Sequence, residues 1–115
     1  MIGSLAALSA ALAVAAGAFG AHGASSPQAA DWLQTGGVYQ MIHAAGALVV
    51  MQRSRGAAAL LLVGAAIFAL TLYAMALGAP RWFGAITPIG GTMLIVGWIW
   101  AAWNYREKHL TDENP

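Results

Sequence analysis

The residues of this chain that could do chemistry are few, and they stand in four short polar words set in apolar sequence: GAFGAHG (17–23), YQMIH (39–43), LYAMAL (72–77) and GAITPIGG (84–91). His22 and His43 are imidazoles that exchange protons near neutral pH. Tyr39 and His43 are four apart and Gln40 and His43 three apart, so on a helix all three share one side. Tyr73 and Thr87 add hydroxyls, and Pro88 breaks the backbone hydrogen bonding beside them. A closed metal site needs three or four ligands, and two histidines without an intramembrane carboxylate or any cysteine do not supply them, so no metal is expected. A haem would need both histidines around a large cavity. No Ser-His-Asp set can be assembled, although Asp31 falls in the same connection as His22. GAFGAHG has no following basic residue and so lacks the context of a phosphate loop. The chain therefore reads as non-enzymatic and without a cofactor, its polar groups suited to hydrogen bonding, ligand binding or proton handling.

Composition says what must position them. The chain has 115 residues, 60% hydrophobic and 8% charged, with a mean hydropathy of +0.68, whereas soluble domains are about a quarter charged. So few charges cannot cover a water-facing surface, and a lipid bilayer is the expected partner. A net charge of +1 with scattered Lys and Arg excludes binding by phosphate neutralisation, hence nucleic acid.

A membrane helix needs about 20 mostly apolar residues. Segments 1–21, 32–51, 57–79 and 83–103 meet that length, which predicts an all-α protein: one integral membrane domain of four transmembrane helices in an up-down-up-down bundle, followed by a tail at 104–115. Helices are required because lipid offers the backbone no partners. The rival reading of the first segment as a cleaved signal peptide rests on its small residues at 21–24, but such peptides begin with a basic stretch and have a shorter apolar core. With four spans, Arg53, Arg55, Arg106 and Lys108 share one side and Arg81 stands alone on the other, which places both termini in the cytoplasm and the protein in the inner membrane. Trp98, Trp100 and Trp103 then fall at the cytoplasmic belt, and Trp32 and Trp82 at the outer one. His109 belongs to the solvated tail.

Helices associate in lipid through close backbone approach and polar contacts. Gly17, Gly20, Gly23, Gly90 and Gly91 are the expected close-packing glycines, with Gly64 and Gly97 beside them; Ala13, Gly17 and Ala21, and Gly3, Ala7, Ala11 and Ala15, form small-xxx-small stripes. Thr87 before Pro88 reads as a helix start with Thr as cap, or else the helix begins near Trp82 and kinks at Pro88. Tracing the four spans brings His22, Tyr39, Gln40, His43, Thr71, Tyr73, Thr87 and Pro88 into the outer half of the membrane, leaving Ser4 and Ser9 as the polar exceptions in the inner half. That cluster is either a structural hydrogen-bond network or a site.

The same words, in this order over nearly the whole chain and followed by Gly97-Trp98, resemble the family of small bacterial and mitochondrial membrane proteins called domain of unknown function 423, or transmembrane protein 256-like. The third span departs from the family's FSGSLY, reading FALTLY at Phe68–Tyr73. The resemblance implies a four-helix integral membrane protein and supplies no activity; its motif residues here are Gly17, Phe19, Gly20, His22, Gly23, Tyr39, Gln40, His43, Tyr73, Thr87, Pro88, Gly90 and Gly91. Two functions are expected to compete: a small accessory or ligand-binding subunit, packing as a homo-oligomer or against another membrane protein, and a minimal transporter or channel for protons or a small solute centred on His22 and His43.

Overall fold

A computed structural model describes residues 1–113, and side chains through residue 106, so the side chains of Glu107, Lys108, His109, Asp112 and Glu113 lie outside the described residues. Four α-helices follow one another: α1 (Ile2–His22), α2 (Pro27–Val50), α3 (Arg55–Ala76) and α4 (Thr87–Glu113), with a 3-10 turn, Arg81–Ala85, leading into the last. Three helical stretches, Ile2–His22, Arg55–Ala76 and Arg81–Arg106, are long and apolar enough to cross a membrane. α2 has the length, but Gln34, Thr35, Gln40 and His43 lower its hydropathy. It nonetheless covers the same depth as its neighbour. Gly20 of α1 meets Leu33 and Ala30 at one end, and Gly3 meets Met51 at the other.

Local chemistry sets the boundaries. Ser26 caps α2 by accepting the Ala29 amide at 3.0 Å, with Pro27 at the first helical position, where its missing N–H costs nothing. The helix thus begins five residues before the expected apolar span at 32. Ser54 caps α3 in the same way, from Ala57 N–H at 3.1 Å. α3 ends at Ala76, and two residues on the φ of +110° at Gly78 lets the chain reverse while Ala79 N–H reaches back to Ala74 O at 2.9 Å. Neither expectation for the start of α4 holds in full: residues 81–85 form a 3-10 turn, and the helix opens at Thr87 with Pro88 inside its first turn and no kink to absorb.

Adjacent helices are antiparallel, since Gly36 and Gly46 of α2 meet Tyr73 and Leu61 of α3, and Gly64 and Gly97 of α3 and α4 meet Gly90 and Leu61. α1 packs along α2, α2 along α3 and α3 along α4; α1 touches α3 lightly, and the backbones of α2 and α4 stay apart. The core is made largely of alanine, with Ala6, Ala44, Ala47, Ala57, Ala58, Ala65 and Ala69 wholly buried and, among the described residues, Leu61 the one large side chain sealed inside. Small side chains let backbones approach, which is where dispersion and interhelical hydrogen bonds act in lipid. Two apolar clusters result, one around Ala6, Ala47 and Leu61 at the end holding the N-terminus and the 51–54 turn, the other around Ala16, Leu33 and Ala69 toward the opposite end.

Of the expected close-packing glycines, Gly20 and Gly90 sit at helix crossings where a Cβ would fall 2.9 Å from Leu33 Cβ and 2.5 Å from Phe68 N, respectively. The others are corrected. A Cβ on Gly17 would meet nothing within 4 Å, because its free face points out of the bundle while its backbone receives Gly37 of α2. Gly23 packs on Phe19 of its own helix, and Gly91 makes only an ordinary contact with Phe68, 3.8 Å away. Gly36, Gly46 and Gly56 are closer to their neighbours than any of these three, against Tyr73, Trp98 and Trp100, and Gly37 packs on a neighbouring helix with a Cβ position 3.1 Å from Ala13 O.

Candidate functional site

The polar residues gather at three places. Between the two apolar clusters, Tyr73 donates its hydroxyl to Gln40 Oε1 at 2.7 Å, and Gln40 Nε2 donates to Ser9 Oγ at 3.0 Å. Three helices are tied at one level by a carboxamide that is 2% exposed. Leaving any of these groups unpaired in an apolar interior would cost the full desolvation of that group. No fully buried side-chain nitrogen or oxygen among the described residues lacks a partner.

Second, Thr71 and Thr87 join α3 to the start of α4 through their hydroxyls at 2.6 Å. Thr71 also stands 2.9 and 3.0 Å from the carbonyls of Ile67 and Phe68. A hydroxyl has one proton, so either Thr87 donates to Thr71 while Thr71 donates to its own helix, or Thr71 donates to Thr87. The expected role of Thr87 as an amide cap is corrected: among the described residues no backbone N–H bonds to its hydroxyl oxygen, which pairs with Thr71 on the neighbouring helix.

The third place is the cleft that α2 and α4 leave by standing apart over α3. It holds about 420 Å³ and is lined by Tyr39, His43, Phe68, Pro88, Gly91, Thr92, Leu94, Ile95 and Trp98. Tyr39 stacks on His43 with ring centroids 6.0 Å apart and planes 11° from parallel, and packs on Phe68 at 4.5 Å. Trp98 closes the far side, its ring 6.0 Å from His43 and its six-membered edge over Gly46. This indole, expected in the interfacial belt, is thus part of a cleft wall.

His43 is 7% exposed, and its Nδ1 lies 2.6 Å from the carbonyl oxygen of Tyr39. A carbonyl can only accept, so Nδ1 carries the proton, and in the singly protonated ring Nε2 keeps its lone pair. Among the described residues nothing hydrogen-bonds Nε2. Because every fully buried polar atom is paired, Nε2 must reach the cleft surface. Thr92 faces the same cleft and donates its own proton to Pro88 O at 2.9 Å.

Placed against expectation, the single outer-half cluster divides. Tyr39 and His43 turn into the cleft, whereas Gln40, one residue from Tyr39 and so about 100° around the helix, turns to α1 and α3. Pro88 lines the cleft, and Tyr73 and Thr87 serve the other two sets. His22 joins none of them: it is the exposed last residue of α1. Leu33 marks its end of the bundle through Gly20, and ten residues separate Leu33 from His43, about 15 Å along the axis. His43 lies seven residues from the end of α2 at Val50, about 10 Å, and so in the half of the bundle that holds the N-terminus and the 51–54 turn, not in the expected half that holds His22. Ser9, set apart as an inner-half exception, is the third member of the Gln40 set. Its signal in the sequence was polarity within an otherwise apolar helix; what hid it was the position of α2 along α1, set by crossings such as Gly37 against Ala13 O and Gly17.

At the connection end, Arg81 Nη2 donates to Gln28 Oε1 at 3.0 Å. At the opposite end the guanidinium of Arg53 lies over the Tyr105 ring at 5.2 Å, and that of Arg106 over Trp103 at 5.6 Å. These are exposed contacts that anchor the ends of the bundle.

Comparison with known proteins gives a family match at residues 16–91, to the family described as protein of unknown function (DUF423). The chain is 38% identical to a UPF0382 membrane protein of Haemophilus influenzae, with 93% of this chain and 95% of that protein covered. It is 41% identical to a UPF0382 membrane protein of Staphylococcus saprophyticus, over 83% of this chain and 88% of the other. The UPF0382 inner membrane protein YgdD of Escherichia coli is 38% identical, over 81% and 79%. No solved structure matches the chain.

Proposed function

The chain belongs to the family of membrane proteins described as protein of unknown function (DUF423), and we propose that it is a small non-catalytic subunit that binds a membrane-soluble ligand in the cleft between α2 and α4. The observation that carries this reading is His43: a nine-tenths buried imidazole whose Nδ1 is committed to its own helix and whose Nε2 is left open to a cleft of about 420 Å³, within the range of about 300–1,000 Å³ usual for ligand sites. The Gln40 set is satisfied internally and serves as the fastener that holds the cleft walls in place. Transport by a His22–His43 relay has less support, because the two imidazoles stand about 15 Å apart in depth and no chain of side-chain hydrogen bonds links them among the described residues.

The proposed topology is multi-pass with both termini in the cytoplasm, supported by Arg53, Arg55 and Arg106 at one end of the bundle against Arg81 at the other. Reporter fusions in the 51–54 turn and at Gly78 test it: the first should report cytoplasm and the second the opposite side, and the reverse pattern would overturn the orientation. A partner, whether a second copy or another membrane protein, has the lipid-facing Ala7, Ala11 and Ala15 of α1 available for close packing.

The binding reading is tested by a lipid-embedded structure of the wild type and of His43→Ala. A molecule other than phospholipid should occupy the wild-type cleft and be lost from the variant. Acyl chains alone in both would end the proposal.

A further inference from the structure

Deepening the ligand-binding reading, on which it rests, we infer that the cleft selects an amphiphile with a flat, hydroxyl-bearing aromatic head, of the hydroquinone or phenol class, and prefers the reduced form to the quinone. The inference comes from how the cleft's protons are already committed. His43 Nδ1–H is committed to Tyr39 O at 2.6 Å and the Thr92 hydroxyl to Pro88 O at 2.9 Å. What both present to the cleft is a lone pair. A ligand that brings its own O–H meets the unpaired Nε2 of the buried His43, with the exposed Thr92 oxygen as a second acceptor; a quinone, which brings only carbonyl oxygens, meets them with like polarity, and leaving buried Nε2 without a partner is costly. The donors left among the cleft's described lining residues are the hydroxyl of Tyr39, a residue 43% exposed, and the indole N–H of Trp98 at the far wall.

Shape agrees with this polarity. The rings of Tyr39, His43, Phe68 and Trp98 pack on one another at centroid spacings of 4.5 to 6.0 Å and together give the cleft an aromatic lining. Gly91 keeps one wall bare of side chain, and Leu94 and Ile95 continue the cleft with apolar surface for a tail. The α2–α4 gap opens sideways, since no helix covers it, so entry from the bilayer needs no passage through water.

The test uses the full chain in lipid nanodiscs under anaerobic conditions, with decylhydroquinone, its dimethyl ether and decylbenzoquinone as probes. Decylhydroquinone should bind saturably above its partition into empty nanodiscs and shift the ¹⁵Nε2 resonance of His43. The dimethyl ether and the quinone should bind about tenfold more weakly, the scale of one lost hydrogen bond to a buried acceptor. His43→Phe should lose a similar factor, and His43→Gln, which can place a carbonyl near the Nε2 position, should recover part of it. Equal binding of hydroquinone and dimethyl ether by the wild type would overturn the inference without need of any variant. So would the absence of binding above the empty-nanodisc background. If either happens while a lipid-embedded structure still shows a non-phospholipid molecule in the cleft, the ligand class is wrong and the binding site stands; if the cleft holds only acyl chains, both fall.

Discussion

Gly64 of α3 and Gly90 of α4 face each other with nothing between: a Cβ on Gly90 would fall 2.6 Å from Gly64 O, and one on Gly64 would fall 3.0 Å from Gly90 O. This crossing sets the distance between α3 and α4, and with it the width of the cleft whose floor is Phe68. Backbone approach of this kind replaces, in lipid, the apolar burial that drives soluble bundles together.

Alanine at this crossing should therefore be costly. Gly90→Ala must displace Phe68 backbone at 2.5 Å rather than a flexible side chain, and the expected loss is about 1–3 kcal/mol. Gly17→Ala is the control, since its Cβ would meet open space; it should be neutral or stabilising by up to about 1 kcal/mol through helix propensity. Reversible unfolding in bicelles would compare the two, and equal effects would refute the packing assignment.

Gln40 ties α1, α2 and α3, so Gln40→Leu should lower stability by about 1–2 kcal/mol. In a double-mutant cycle with Tyr73→Phe, the coupling should be about 0.6–1.7 kcal/mol, the range seen for hydrogen bonds between membrane helices. Additive losses would mean that the 2.7 Å contact carries no net interaction.

Thr87→Val keeps the shape of the side chain and removes its bond to Thr71. The expected consequence is local: faster amide hydrogen exchange over 89–92 at the start of α4, with exchange in α1 unchanged. Uniform acceleration across all helices would instead make the pair a global fastener.

His22 is exposed at the end of α1 and joins no polar set among the described residues. His22→Ala should leave decylhydroquinone affinity within about twofold of wild type and stability within about 0.5 kcal/mol, as surface changes usually do. A loss as large as that of His43→Phe would revive a role shared by the two imidazoles.

Much of the fold was legible because hydrophobic length is a local property: each apolar run had to be a helix, and short polar connections had to reverse it. Composition alone required a bilayer. The polar words were legible too, since a carboxamide or imidazole inside a span must find a partner. Which partner was not legible. That depends on where each helix starts and how far it slides along its neighbour, and starting α2 five residues earlier, at Pro27, puts His43 about 7 Å further from the start of its helix. Helical spacing placed Tyr39, Gln40 and His43 on one side, but one side of α2 faces two different neighbours. The crossing of α3 over α2 gave Gln40 to Ser9 and Tyr73 and left His43 beside a gap.

From its residues alone the chain was bound to be a helical membrane protein with scarce polar groups turned inward. Tertiary structure decided which of those groups are mutually satisfied and which one is left with a lone pair facing a cleft, because hydrogen bonding reaches only about 3 Å while helix depth and rotation, set by glycine crossings distant in sequence, move side chains by several times that distance.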